Sequence, residues 1–240
     1  MNGAGELEQR HRAVTERIAA ACGRAGRAPD SVTLIAVTKT HPPEAVDALA
    51  RIGQLDVGEN RVQEAKAKAP MCDGRVRWHG IGHLQTNKVR DAVRLFSMIH
   101  SVDSARLVEE IERQAAAQGK RVPVLLEVNV SGEGSKFGLA PEETAGVAET
   151  ANRLPHLILR GLMTMPPYAE DPEAARPFFR RLALLRRDIE QRLGVPLADL
   201  SMGMSGDFEV AIEEGATLVR VGTALLGERR PRRLAGSEEN

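Results

Sequence analysis

Aromatic side chains are scarce in this chain. They make up 3% of its 240 residues, and Trp78 and Tyr168 stand alone of their kinds. A stacking platform for nucleobases is therefore not expected. Charge of one sign is missing too: 33 Lys and Arg balance 33 Asp and Glu. That removes the electrostatic case for nucleic acid or an anionic membrane as a partner. Two cysteines, Cys22 and Cys72, cannot build a disulfide framework and fit the reduced thiols of a cytosolic protein. No apolar run approaches the ~18 residues of a membrane span. The opening stretch MNGAGELEQRHRAVTERIAAACGRAGRAPD is charged throughout, without the apolar centre of a secretory signal. A cytoplasmic location is the expectation. Glycine-rich nucleotide loops and the Gly-x-Ser-x-Gly elbow are absent, so dinucleotide, ATP and serine-hydrolase chemistry have no support. His79, His83 and His100 lack a metal-ligand spacing, so no metal is expected. Lysine is rare within the basic set, at six residues.

What is present is a repeated alternation of short apolar runs and longer helical patterns. Residues 6–22 suit an amphipathic helix with Leu7, Val14, Ile18 and Ala21 on one side. Strands are expected at 32–38, 55–58, 76–82, 98–102, 122–130, 157–163, 200–203 and 217–222, each followed by a helix. Asp103 or Ser104 is the expected cap of the fourth helix, and His41 a candidate cap after the first strand. The helix over 171–194 is expected to be the longest. The strands are apolar throughout rather than alternating, as in a parallel sheet covered on both faces. Eight such units in this length predict a single (β/α)₈ barrel over residues 1–230, with an extra N-terminal helix. A doubly wound open sheet is the alternative. Residues 231–240 read as a flexible, solvated tail.

In a barrel, chemistry sits on the loops after the strands. Lys39 directly follows the first strand between apolar flanks. Partial desolvation there makes a neutral, nucleophilic amine accessible, which a Schiff base requires. A structural lysine closing a strand end is the alternative. Ser205-Gly206 and Gly222-Thr223 each precede a predicted helix after the last two strands. Small residues at a helix start let backbone N–H groups approach a phosphate, although two ordinary glycine turns would read the same way. Asn60 follows the second strand, and Arg220 occupies an inward place on the eighth, where a cation needs a partner.

These residues lie in the stretches LIAVTKTHP, VGENRVQEA, WHGIGHLQTNK, VLLEVNVSGEGSKFGL, GLMTMPP and LSMGMSGDFEVAIEEGATLVRVGTALLG. In content and order they resemble the YggS/PROSC family, the pyridoxal-phosphate-binding homeostasis proteins. That family is similar to the N-terminal barrel of alanine racemase without its second, β-rich domain. The resemblance implies pyridoxal 5'-phosphate (PLP) held as a Schiff base on Lys39. It implies that Ser205, Gly206, Gly222 and Thr223 hold the phosphate, that Arg220 faces the pyridine nitrogen, and that Asn60 lies by the ring. Lys136 is the second candidate amine. The implied function is a monomeric PLP carrier and buffer that maintains vitamin B6 and amino- and keto-acid balance, with PLP-dependent apoenzymes as recipients. The alternative is a PLP enzyme with weak racemase-type activity. Against it, a permanently cationic arginine at the ring nitrogen weakens the electron sink, and the second base of a racemase has no evident counterpart, Tyr168 being the only tyrosine.

Overall fold

The structure, a computed structural model, describes residues 3–134 and 136–227. Eight strands, β1 (Thr33–Val37), β2 (Asp56–Glu59), β3 (Arg77–Gly80), β4 (Met98–Val102), β5 (Val122–Glu127), β6 (Leu157–Met163), β7 (Asp199–Ser201) and β8 (Leu218–Val221), pair in chain order. All neighbours are parallel, and β1 pairs with β8, Ile35 opposite Arg220, to close the barrel. This is a TIM-type (β/α)₈ fold, and closure excludes the open doubly wound sheet. The tail over residues 231–240 lies outside the described residues.

The helices between the strands are α2 (Pro43–Arg51), α3 (Val62–Lys68), α4 (Val89–Leu95), α5 (Ala105–Ala117), α6 (Pro141–Arg153), α7 (Arg176–Leu193) and α8 (Phe208–Glu213), with α9 (Thr223–Leu226) after β8. The extra N-terminal helix, α1 (Gly3–Arg24), buries Leu7, Val14, Ile18 and Ala21 as their spacing requires. It packs against α8 and α9, with Arg17 and Arg24 paired to Glu209 and Glu213.

Alternation along each strand divides the apolar residues between two cores. Leu34, Ala36, Val57, Val124 and Leu126 belong to the large outer core shared with the helices. Ile35, Leu125, Met163 and Leu218 form a small separate cluster inside the barrel.

Several elements depart from the pattern expected of the sequence. The longest helix is α1 with 22 residues, not the one over 171–194. That segment divides into a 3₁₀ turn over Pro172–Ala175 and α7. Pro177 has no N–H to join a continuous helix, but it fits the first turn of one starting at Arg176. β5 ends at Glu127 rather than at residue 130, because Val128 turns aside to bridge Leu139. Ser104 caps α5, its hydroxyl accepting from the Leu107 N–H. His41 is not a cap, since Pro42 holds that position before α2.

Candidate functional site

Lys39 emerges two residues after β1 and is half-buried. The turn that carries it is held from behind by a buried ion network. Lys68 of α3 donates to the Thr38 carbonyl (2.9 Å), Glu59 Oε1 (2.8 Å) and Glu64 Oε1 (2.7 Å). The Thr38 hydroxyl also donates to Glu59 Oε1 (2.8 Å). Glu64 accepts from the N–H of Thr40, whose φ of 66° is left-handed. A β-branched residue rarely adopts that conformation, so the turn is over-determined by its neighbours. Burial raises the Glu59 carboxyl above its usual range, against the pull of Lys68 and Thr38. Glu64 is also pushed up by burial, but its bonds from Lys68 and Thr40 outweigh that and hold it low.

The four phosphate-loop candidates meet at the β7–β8 side of the same end of the barrel. The Ser205 hydroxyl oxygen accepts from the backbone N–H groups of Gly222 (3.3 Å) and Ala224 (3.4 Å). Those amides therefore converge where an anion's oxygen would sit. Thr223 and Gly206 are exposed, and the space beside Gly206 is open. Gly203 shapes the loop. Its φ is 90°, and a Cβ there would lie 2.6 Å from the Ala211 methyl and 2.8 Å from the Phe208 Cα. Gly222 lies against Val37, close before Lys39 in the chain. Asn60 is exposed at the end of β2, beside β1.

Arg220 is 3% exposed and inward-facing. Its Nη1 donates to the Ser201 hydroxyl (2.6 Å) and its Nη2 to the Thr164 carbonyl (3.0 Å). Burial pulls its guanidinium down to about 10, opposed by the charges of Glu127 and Asp207. It stays a cation at neutral pH, and its hydrogen-bond partners are neutral.

Sequence reasoning missed several groups here. Glu127, at the end of β5, is 3% exposed. Burial, with the charge of Asp103 added, raises its carboxyl to about 7, against the attraction of Arg220. His83 is held by Asp103 (2.9 Å) and stacks on Phe137, with ring centroids 3.8 Å apart. Only the Glu64–Lys68 pair, four apart on a helix, left a local signal. Lys136, on the loop after β5, has a buried Nζ with no hydrogen bond among the described residues, 3.5 Å from Glu133. The lone Tyr168, after β6, is 91% exposed.

The chain matches the family model described as alanine racemase, N-terminal domain, over residues 11–230. It is 47% identical over 218 residues to a pyridoxal phosphate homeostasis protein of Aquifex aeolicus, covering 90% of this chain and 96% of that protein. The structure of PipY from Synechococcus elongatus with PLP bound superposes with a TM-score of 0.79 at 36% identity, covering 89% of this chain and all of that one. An alanine racemase from Clostridium difficile shares the fold at 15% identity and a TM-score of 0.69, and the match spans 56% of its length.

Proposed function

Since the chain belongs to the pyridoxal phosphate homeostasis proteins, within the alanine racemase N-terminal domain family, we propose that it binds PLP at the mouth of the barrel and serves as a carrier and buffer for it. The observation that carries this reading is a convergence at one end of the barrel. Lys39 follows β1, the Gly222 and Ala224 amides gather on Ser205, and the buried cation Arg220 lies between strands β7 and β1.

The residues fit the group chemically. Lys39 would supply the amine that holds the cofactor's aldehyde end. Ser205, Gly206, Gly222 and Thr223 supply the donors and the room for a phosphate. Arg220 would donate a hydrogen bond to the ring nitrogen and so favour its unprotonated form, and Asn60 would border the ring. When bound, PLP supplies an electron sink for amino-acid chemistry, which an arginine partner weakens. In this reading the barrel, with α1, acts as one PLP-binding domain, a cytoplasmic monomer that affects vitamin B6 and amino- and keto-acid balance through PLP-dependent apoenzymes as recipients. Phe137, Met165, Tyr168 and Met204 stand exposed on the loops after β5, β6 and β7, which favours a protein recipient at the mouth.

A second reading, weak racemase-type activity, is favoured by one observation. Glu127 titrates near neutrality at the mouth, as a general acid or base would. Against it, Tyr168 is exposed, and the alanine racemase chain extends well beyond the shared barrel.

Borohydride reduction of PLP-loaded protein, followed by peptide mass analysis, tests the site. The pyridoxyl group is expected on Lys39 and absent from Lys39→Ala. Labelling of Lys136 in place of Lys39 would redraw the site. Turnover of an amino-acid panel, abolished in Lys39→Ala, would favour the enzyme over the carrier.

A further inference from the structure

The barrel interior holds a line of polar groups beneath the proposed cofactor contacts. Asp56 stands at the start of β2. The Arg77 guanidinium grips its carboxylate from β3, with Nε on Oδ1 at 2.7 Å and Nη2 on Oδ2. From there the contacts run inward. Asp56 Oδ1 lies 3.1 Å from His79 Nε2, and His79 Nδ1 lies 3.0 Å from His100 Nε2. His100 Nδ1 lies 2.9 Å from Ser201 Oγ, which accepts from Arg220 Nη1. His100 on β4 and Ser201 on β7 are not on neighbouring strands, so their contact passes through the barrel. Asp56, His79, His100, Ser201 and Arg220 are buried, His100 completely, while Arg77 at the outer end is exposed.

The chemistry of these groups sets a direction. Asp56 stays ionised: burial pushes it up, but the hydrogen bonds from His79 and Arg77, with the charge of Arg77, hold it at about 2. It can only accept, so His79 carries a proton on Nε2. The Ser201 hydroxyl proton has one acceptor among the described residues, His100 Nδ1, because its other partner, Arg220, only donates. Burial first, with the charge of Arg220 added, keeps His100 far below the usual imidazole range and hence neutral. The one proton of neutral His100 therefore sits on Nε2 and is donated to His79 Nδ1. His100 Nδ1 accepts from Ser201, whose oxygen is thereby left to accept from Arg220. Each donor has one acceptor and the order runs one way, from Arg220 to Asp56.

We propose that Asp56, His79, His100 and Ser201 form a directional hydrogen-bond relay through the barrel that fixes the orientation of the Arg220 guanidinium, and that these four are positioning residues of the cofactor site. The link to the cofactor rests on the reading of Arg220 given above. The relay itself does not.

Nitrogen NMR of the isotope-labelled apoprotein at neutral pH tests the relay alone. Both His79 and His100 are expected as the Nε2–H tautomer. A proton on Nδ1 of either ring, or a doubly protonated ring, would overturn it. Ser201→Ala tests the positioning role. PLP dissociation is expected to rise by roughly tenfold, the equivalent of about 1.4 kcal/mol and the lower end of a hydrogen bond to a charged group. The absorption maximum of the bound cofactor should also shift. Ser201→Thr, which keeps the hydroxyl, should restore both. If Ser201→Ala does not fold, Ser201→Cys is measured in the same way. Unchanged affinity and spectrum without the hydroxyl would remove the positioning role. If the wild type fails to bind PLP, the proposed function falls while the tautomers still decide the relay.

Discussion

Replacing Lys68 by Met tests whether the ion network behind Lys39 holds the turn. Lys68 is 7% exposed and Glu59 fully buried. The ammonium makes three hydrogen bonds, two to carboxylates. Methionine keeps most of the volume but leaves Glu59 beside Glu64 without a cation. One oxygen of Glu59 already lacks a partner among the described residues. Breaking a buried pair by removing one partner costs about 3–5 kcal/mol. Protonation of Glu59 limits the loss, so about 3 kcal/mol is expected at neutral pH. For a chain of this size that lowers Tm by about 6–12 °C. The pH dependence has a definite sign. Without Lys68 the Glu59 pKa rises further, and a carboxyl raised in the folded state favours folding only while protonated. The deficit of Lys68→Met should therefore be smallest below Glu59's ordinary value of 4.5 and grow as pH rises. Glu64, whose pKa the lysine now lowers, changes in the same direction. Thermal unfolding across pH, with Lys68→Met/Glu59→Gln as the partner variant, measures this. The double variant should recover much of the loss at neutral pH. A loss under about 1 kcal/mol, within the range of an exposed pair, or one independent of pH, would refute the argument.

Other expectations follow from single contacts. Asp56, held at about 2, contributes stability that is present above its unfolded pKa and lost as pH falls toward 2. The Tm advantage of wild type over Asp56→Asn should shrink across that window. Gly203→Ala places a Cβ against Ala211 and Phe208 at a positive φ. It should cost at least about 1–3 kcal/mol in thermal unfolding and weaken PLP binding, because Ser205 is two residues away. Pyridoxal without its phosphate should bind far more weakly than PLP, since each hydrogen bond to a charged acceptor is worth about 1.5–3 kcal/mol. Equal affinity by titration would sink the phosphate-loop assignment. On the proposed reading of Arg220, Arg220→Glu places a carboxylate opposite the ring nitrogen and should lower PLP affinity or start slow conversion to pyridoxamine phosphate with L-alanine.

The barrel was legible because its evidence is local. Continuous apolar runs such as VTLIAVT and LILRGLM need cover on two faces, and eight of them separated by helical patterns leave few topologies. Boundaries failed where a backbone constraint overrode the pattern, as at Pro177 before α7 and at Val128 after β5. The placement of the candidate residues was legible in part for the same reason. Lys39, Ser205 and Gly222 lie on the segments that follow β1, β7 and β8, and position in the chain places them at the mouth. The polar interior was not. His79 and His100 are 21 residues apart, and His100 and Ser201 are 101. Alternation can assign each to the inner face, but which inner residues touch depends on strand tilt and stagger around the closed barrel. Glu127 was hidden likewise: burial and Asp103 raise its carboxyl to about 7 against the pull of Arg220, and both charged neighbours are remote in sequence.

The interior itself bears on how such a barrel meets a ligand. Buried ionic and polar groups seldom add net stability, and well-packed apolar residues of similar volume often match or exceed them. The inner cluster of Ile35, Leu125, Met163 and Leu218 shows that this interior accommodates apolar packing. Yet the chain places a carboxylate, two imidazoles, a hydroxyl and a guanidinium beside that cluster. Their order runs from the start of β2 to the C-terminal half of β8, so the polar line ends toward the mouth rather than at the base. On the proposed reading, that end is where the cofactor ring would rest. An arginine there remains charged even when burial pulls it to about 10, whereas an aspartate would draw a proton onto the ring nitrogen. Holding the ring nitrogen without its proton restrains carbanion chemistry while leaving the aldehyde and phosphate ends bound, which suits storage better than turnover.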